Sequence, residues 1–235
     1  MHYRALATDY DGTLATHGTV DRETIAGLER FIAAGRQLIM ATGRELADLN
    51  RVFPRLDLFA RVVAENGALL CEPATKKVTL LCEPVPRIFI SQLQRRGVPF
   101  AVGQAIVATI EPHESAVREA IADLALPLDI SLNKGSIMVL PEGVSKSTGL
   151  RRALAELRID KESVVGVGDA ENDLDFLAMC GCGVAVANAT PQVKSRADLV
   201  TGGTHGSGVV EIINQLLADD RLRCDRVRRQ LLVPE

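Results

Sequence analysis

Along the chain, short unbroken apolar runs alternate with longer stretches in which apolar residues return every three or four positions. Ala5 to Thr8, "QLIMATG", "RVVAENG", "SVVGVGD" and "GVAVAN" are runs of the first kind. They lack the every-other-residue pattern of a half-exposed strand, so they predict strands buried on both faces. Helical patterns fall between them. After a turn at His17-Gly18, Asp21 is a plausible N-cap, Ile25, Leu28 and Ile32 share one helical face, and Gly35 ends the element. "RELADLNRVF" predicts a helix up to Pro54, and Leu150, Leu154 and Leu157 mark one face of a helix in "KSTGLRRALAELR". "ENDLDFLAM", "TPQVKSRA" and "GVVEIINQLLA" predict further helices, and "DLVT" a short strand. Strand and helix in alternation predict an α/β fold with a doubly wound, Rossmann-like parallel sheet.

The rhythm changes at about Glu83. "PRIFISQLQRRG" reads as a helix, "VPFAV" and "QAIVATI" as strands, "HESAVREAIADLA" as a helix, and "PLDISLN" with "GSIMVLP" as a hairpin-like pair. Two copies of helix-strand-strand predict a small antiparallel α+β unit inserted into the larger fold. The expected organisation is a core from 1–82 and 146–218, an insert over 83–145, and a helical tail over 219–235. The tail carries five arginines against four acids and reads as a solvated helix rather than a binding patch.

Composition narrows the partners. At 235 residues the chain can bury a sizeable core. A net charge of −3 and 3% aromatic residues, with no Trp, supply neither the basic surface nor the stacking platform that nucleic acid needs. No apolar run reaches the roughly 20 residues of a membrane span, and the N-terminus has no secretory pattern, so a cytoplasmic protein is expected. Five scattered cysteines suit reduced thiols better than a disulfide frame. Cys180-Gly-Cys182 has no second Cys or His pair at ligand spacing and reads as small core residues.

The chemistry collects at strand ends. The first run closes on "TDYDGTL", with Asp9 and Asp11 one residue apart, although two such carboxylates repel unless a cation is near. In an open parallel sheet, ligands sit beyond the carboxyl ends of the strands. Thr42-Gly43 follows the second strand, Lys146 opens the returning helix, and Asp169 with Asp173 follows "VVGVGD", so the topology brings all of them to that edge. Taken singly, each has a plainer reading: Asp169 and Thr42 as helix caps, Lys146 as a solvated first-turn lysine. Those readings do not explain why acids, a hydroxyl and a lysine appear together at strand ends. Two glycine-rich stretches are decoys. "GVGDAE" lacks the third glycine of a dinucleotide fingerprint, and "GGTHGSGV" lacks a following Gly-Lys-Ser/Thr, so it predicts a flexible loop before the last helix. None of the four histidines, His2, His17, His113 and His205, has a partner that would make it catalytic.

In order, "DYDGTL", "ATGR", the lone lysine of "VSKSTGL" and "GDAENDLDF" resemble the four motifs of haloacid dehalogenase superfamily phosphatases. The position and α+β make-up of the insert resemble the cap of the Cof-type subgroup. The likeness spans residues 1 to about 218 and extends to "ENGA" and "GVAVANATPQVKSRADLVT".

The resemblance implies that Asp9 is the nucleophile, since a carboxylate is ionised at neutral pH and needs no base to activate it. It implies that Asp11 protonates the leaving alcohol and then activates water, a task that calls for a raised pKa. Mg²⁺ would be held by Asp9, the main-chain carbonyl of Asp11, Asp169 and Asp173, cancelling repulsion between nucleophile and phosphate. Thr42 and the amide of Gly43, at a helix N-terminus, would bind phosphoryl oxygens with Lys146, and Gly12 would let its main chain approach them. Asn172 would hold either the loop or the phosphate. Arg44 either contacts substrate or is a surface residue, and Lys134 either reads a substrate anion or is a solvated turn lysine. The implied substrate is a small phosphorylated metabolite, a sugar phosphate or a phosphoglycolate-like acid, acted on by a monomer or homodimer. A hexose phosphomutase and a non-catalytic phospho-receiver module are the rival readings.

Overall fold

The computed structural model describes residues 3–219 and 222. Its first half begins with β1 (Ala5–Thr8), α1 (Arg22–Ala33), β2 (Gln37–Ala41), α2 (Leu46–Val52) and β3 (Arg61–Ala64). A hairpin, β4 (Leu69–Glu72) and β5 (Lys77–Leu80), follows. Next come α3 (Arg87–Arg95), β6 (Ala101–Val102), β7 (Val107–Ile110), α4 (Glu114–Leu124), β8 (Leu128–Asn133) and β9 (Ser136–Pro141). The chain then returns through α5 (Lys146–Leu157), β10 (Val164–Gly168), α6 (Leu174–Met179), β11 (Cys182–Ala185), α7 (Pro191–Arg196), β12 (Leu199–Val200) and α8 (His205–Asp219).

An eight-stranded sheet runs in the order β12-β11-β10-β1-β2-β3-β4-β5. The six strands from β12 to β3 are parallel, and β4 and β5 extend the edge antiparallel. Every residue of β1 and β10 is buried, so the centre of the sheet is covered on both faces, as the continuous apolar runs require. α1 packs against α8, and α5 packs against α6 and over β2 to β4. Ala5 of β1 pairs with Gln37 on one side and Val164 on the other, so the chain reverses its winding between β1 and β10. That switch point is where an open α/β sheet gathers its ligand site.

The inserted segment forms its own four-stranded antiparallel sheet, β6-β7-β9-β8, the cap. On β9, Ile137 and Val139 join Phe89, Leu93 and Val117 in a core beneath α3 and α4. The alternate residues Ser136 and Met138 face the main domain, as the two-residue period of a strand dictates.

Several sequence expectations change. Asp21 does cap α1, accepting from the Thr24 amide at 2.7 Å, but the helix buries Thr24, Gly27, Leu28 and Phe31. Ile25 is only partly buried and Ile32 is exposed, because α1 turns small residues toward α8. "VPFAV" contributes only the two residues of β6. The glycine-rich stretch before the last helix is mostly not a loop, since α8 begins at His205. The β4–β5 hairpin was not expected at all. Cys71 and Cys82 are free thiols, whereas Cys182 is disulfide-bonded, against the expectation of reduced thiols throughout. His2 and the predicted tail beyond Asp219, Leu222 apart, lie outside the described residues.

Candidate active site

The ends of β1 and β10 deliver three acids to one point. Asp9 follows β1 and Asp169 follows β10, and a single 3-10 turn, Glu171–Asp173, brings Asp173 back beside them. Carboxylate oxygens of Asp9, Asp169 and Asp173 lie within 4.8 Å of one another, and all three side chains are buried. The first residue of α5, Lys146, is also buried and donates to Asp9 Oδ1 and to Asp173 Oδ1, each at 2.6 Å. Ser145 caps α5 in a reciprocal capping box with Thr148, which fixes where that lysine starts. Asp173 Oδ2 accepts from the amides of Asp169 and Ala170 at 2.8 and 3.0 Å, so the same side chain shapes the loop that carries its partner.

Three carboxylates share two ammoniums, the buried Lys146 and the partly exposed Lys134, which leaves an excess of negative charge in a buried place. Burial pushes the Asp9 carboxyl well above the usual carboxylate range; Lys146 pulls it down, while Asp173 and Asp169 push it further up. Asp169 is also raised, by burial first, against hydrogen bonds from Lys134 and Thr13. Lys146 moves up despite its own burial, because Asp173 and Asp9 hold its proton. At about 4 Å and an effective dielectric near 20, each like-charge pair costs about 4 kcal/mol, so a further cation would stabilise the cluster strongly. The donor set is all oxygen and anionic, which fits a hard divalent ion.

Around this centre opens a cleft of about 850 Å³ between core and cap, lined by Asp9, Asp11, Thr42 and Gly43 from one side and by Lys134 and Met138 from the other. Asp11 stands apart from the three-acid group. Arg44 grips both its oxygens, Nε to Oδ2 at 2.6 Å and Nη2 to Oδ1 at 2.7 Å, and also binds Asp48. Arg44 is therefore a cleft residue paired to an acid, rather than a solvated first-turn residue. Thr42 is buried and its hydroxyl accepts from the Arg44 amide at 3.1 Å. The expected helix N-terminus at Gly43 is not there, since α2 begins at Leu46. Gly12 has φ +84, and a Cβ there would collide with Asp169, so this turn needs glycine. Asn172 holds the loop side: its Nδ2 donates to Asn66 Oδ1 at 3.2 Å, and its buried Oδ1 has no partner among the described residues. Lys134, at the tip of the β8–β9 hairpin, reaches across the cleft to Asp169, so it is no ordinary solvated turn lysine.

Sequence reasoning gave no role to three residues that the geometry brings in. Thr13 donates to Asp169 Oδ1 at 3.0 Å, tying the first motif to the last. Asn188 donates to the Gly12 carbonyl at 2.7 Å and accepts from the His205 amide at 2.8 Å, bracing the first loop from β11 and α8. Asn66 accepts from Asn172 and donates to Ser131 Oγ of the cap at 2.8 Å. Each acts through hydrogen bonds to partners distant in sequence, which leave no periodic or spacing signal.

Comparison with known proteins agrees with this geometry. The haloacid dehalogenase-like hydrolase family matches residues 6–96 and 105–213, both sides of the site and most of the cap. The chain is 30% identical over 223 residues to the phosphoglycolate phosphatase of Methanothermobacter thermautotrophicus, covering 91% of this chain and 99% of that one. The phosphoglycolate phosphatase of Haloarcula marismortui is 29% identical over 219 residues, with 88% and 95% covered. Among solved structures, the haloalkanoate-superfamily phosphatase BT1666 of Bacteroides thetaiotaomicron superposes with a TM-score of 0.76 at 21% identity, over 91% of this chain and 95% of that one. A subclass IIB sugar phosphatase superposes with a TM-score of 0.75 at 21% identity, over 91% and 98%. The fold, the inserted antiparallel cap and the acid cluster at the sheet edge thus lead to one conclusion: this chain belongs to the haloacid dehalogenase-like hydrolases, with a cap of the Cof or IIB kind.

Proposed function

We propose that the protein is a Mg²⁺-dependent phosphatase that hydrolyses small phosphorylated metabolites, sugar phosphates or phosphoglycolate-like acids, through an aspartyl-phosphate on Asp9. One observation carries this reading: three buried carboxylates lie within 4.8 Å, two of them, Asp9 and Asp173, share Lys146, and Asp9 lines the cleft beneath the cap. Asp9, Asp169 and Asp173 would hold the ion, with the main-chain carbonyl of Asp11 as a further ligand. When bound, Mg²⁺ supplies positive charge that lowers the repulsion between nucleophile and phosphate.

The protein's own groups divide the remaining work. Lys146 fixes one oxygen of Asp9 and leaves the second for attack on phosphorus, as the bond from phosphorus to the leaving oxygen breaks. Thr42, Gly43 and Lys146 hold the phosphoryl oxygens, with Gly12 close to them and Arg44 and Asn172 at the edge of the binding region. Asp11 delivers a proton to the leaving oxygen, then takes one from the water that cleaves the aspartyl-phosphate. Its side chain is 40% exposed, so it can leave the Arg44 fork to do so.

We place the division of the chain at 1–82 with 146–218 for the core and 83–145 for the cap. The substrate is a small molecule, and neither nucleic acid nor membrane takes part. The enzyme acts as a monomer or homodimer in the cytoplasm, a placement that the free thiols of Cys71 and Cys82 favour and the disulfide at Cys182 opposes. Steady phosphate release from p-nitrophenyl phosphate with Mg²⁺, abolished by a chelator, is the expected result. A single stoichiometric phosphorylation without turnover would favour the receiver module. Conversion of glucose 1-phosphate to glucose 6-phosphate with a bisphosphate primer, without free phosphate, would favour the phosphomutase.

A further inference from the structure

The turn Glu65–Gly67 between β3 and β4 has no assigned task, yet it touches the loop after β2, the start of α5 and the loop after β10. Its backbone is left-handed at three successive residues, with φ of +48, +56 and +111. Such a run persists only where the surroundings hold it. On the core side, the Glu65 amide donates to the Arg44 carbonyl at 3.0 Å and the Asn66 amide to the Thr42 carbonyl at 2.9 Å, so the turn is bonded to the loop after β2. A Cβ on Gly67 would collide with the Ser145 carbonyl at the cap of α5, one residue before Lys146. Asn66 Oδ1 accepts from Asn172, in the loop that carries Asp169 and Asp173.

On the cap side the same turn makes two separate attachments. The Glu65 carboxylate, 1% exposed, accepts from three consecutive amides: Gln104 and Ala105 at 2.9 Å and Ile106 at 3.2 Å. Asn66 Nδ2 donates to Ser131 Oγ of β8 at 2.8 Å. Both lie close to where the chain crosses between core and cap. The Val85 amide donates to the Ala105 carbonyl, and Ala105 and Ile106 pack with Ala68, Leu140, Cys82 and Val144 in a small apolar cluster at the two crossings. Ile106 and Met138, members of the same cluster, form the apolar roof of the cleft.

We propose that Glu65 and Asn66 are positioning residues: the turn is the fulcrum on which the cap sits, and it sets the height of the cap's apolar roof over Thr42, Gly43 and the acid cluster. A buried carboxylate satisfied by three amides is a rigid joint, because any other placement of the 104–106 segment would leave charge or amides unpaired. The proposal rests on the phosphatase reading for its kinetic consequence but not for its structural one.

The test pairs kinetics with amide exchange. Glu65→Gln keeps size but turns one acceptor oxygen into a donor facing amides. In that variant the Gln104–Ile106 amides should exchange at least about tenfold faster, while amides of β1 and β10 keep their rates. KM for phosphoglycolate or glucose 6-phosphate, whichever the wild type hydrolyses better, should rise about tenfold or more, and kcat for acetyl phosphate, too small to need the roof, should stay within about twofold. Asn66→Gly keeps the left-handed backbone and removes only the side chain, so it serves if Glu65→Gln does not fold, and it should show the same kinetic split. Equal losses on both substrates, or no change in either with unchanged exchange, would overturn the proposal. If the wild type hydrolyses neither substrate, the phosphatase reading fails, and the exchange result alone decides the fulcrum: unchanged rates at 104–106 sink it.

Discussion

The two sheets of this protein solve opposite problems. The parallel sheet is covered on both faces, so polar side chains have nowhere to go except its strand ends, and there the acids and Lys146 collect. The cap sheet is covered on one face by α3 and α4, and its other face is free to shape a cleft with residues such as Met138 and Ser136. Charge and chemistry belong to the first sheet and shape to the second. Lys134 is the notable crossing between them, a cap cation that reaches a core acid. The contrast predicts that core substitutions at the cluster erase turnover, whereas changes away from it leave turnover intact.

The largest expected effect is at Asp9. Asp9→Asn should lower turnover by at least about 10⁴-fold, with circular dichroism unchanged, since the nucleophile is lost while its buried shape is kept. Near-wild-type turnover would remove Asp9 from the chemistry. Next comes Lys146→Met, which leaves Asp9 and Asp173 buried without their shared counter-charge. It should cost about 3 kcal/mol of stability in urea titrations with chelator present, and about 10²-fold in turnover.

A third test separates metal from protein. Because burial raises Asp9 and Asp169, the folded metal-free protein keeps protons that the unfolded chain gives up. The stability they contribute is full below about pH 4 and is lost as pH rises through their raised values. Asp48 and Glu156, lowered chiefly by Arg51 and Arg152, act in the opposite sense and only as pH falls through their depressed values. Melting temperature in chelator should therefore fall as pH rises above the ordinary carboxylate range, and millimolar Mg²⁺ should reverse the fall. A flat profile in chelator would contradict the buried excess charge. The smallest effect lies far from the cleft: Asp21→Ala removes the α1 cap and should cost about 1 kcal/mol of stability with turnover unchanged.

Much of this contrast was legible in the sequence, and the parts that were not have physical reasons. Asp9, Asp169, Asp173 and Lys146 could be brought together because unbroken apolar runs fix parallel strands, and parallel strands fix which ends share an edge. In the β4–β5 hairpin, β5 is the sheet edge, where Val78 and Leu80 are exposed and no buried face imposes a pattern, while the buried residues of β4 are only Leu69, Leu70 and Cys71. The start of α8 was misread because glycine signals a loop, whereas Gly206 is needed where a side chain would strike Thr24 of α1. The same close approach explains why α1 buries Thr24 and Gly27 in place of Ile25 and Ile32. At the site, residues that touch the chemistry could be placed by strand position. Glu65, Asn66 and Asn188 work through partners far along the chain, and only coordinates reveal those.

The central claim is that Asp9 takes the phosphoryl group inside the three-acid cluster. Acid-quenching the enzyme during turnover of acetyl phosphate with Mg²⁺, reducing it with borohydride and sequencing the peptides by mass spectrometry tests this directly, because reduction converts an aspartyl-phosphate to homoserine. Homoserine at position 9, absent when chelator replaces Mg²⁺, is the predicted result. Phosphate release with no homoserine at position 9, or with homoserine in place of another aspartate, would contradict it.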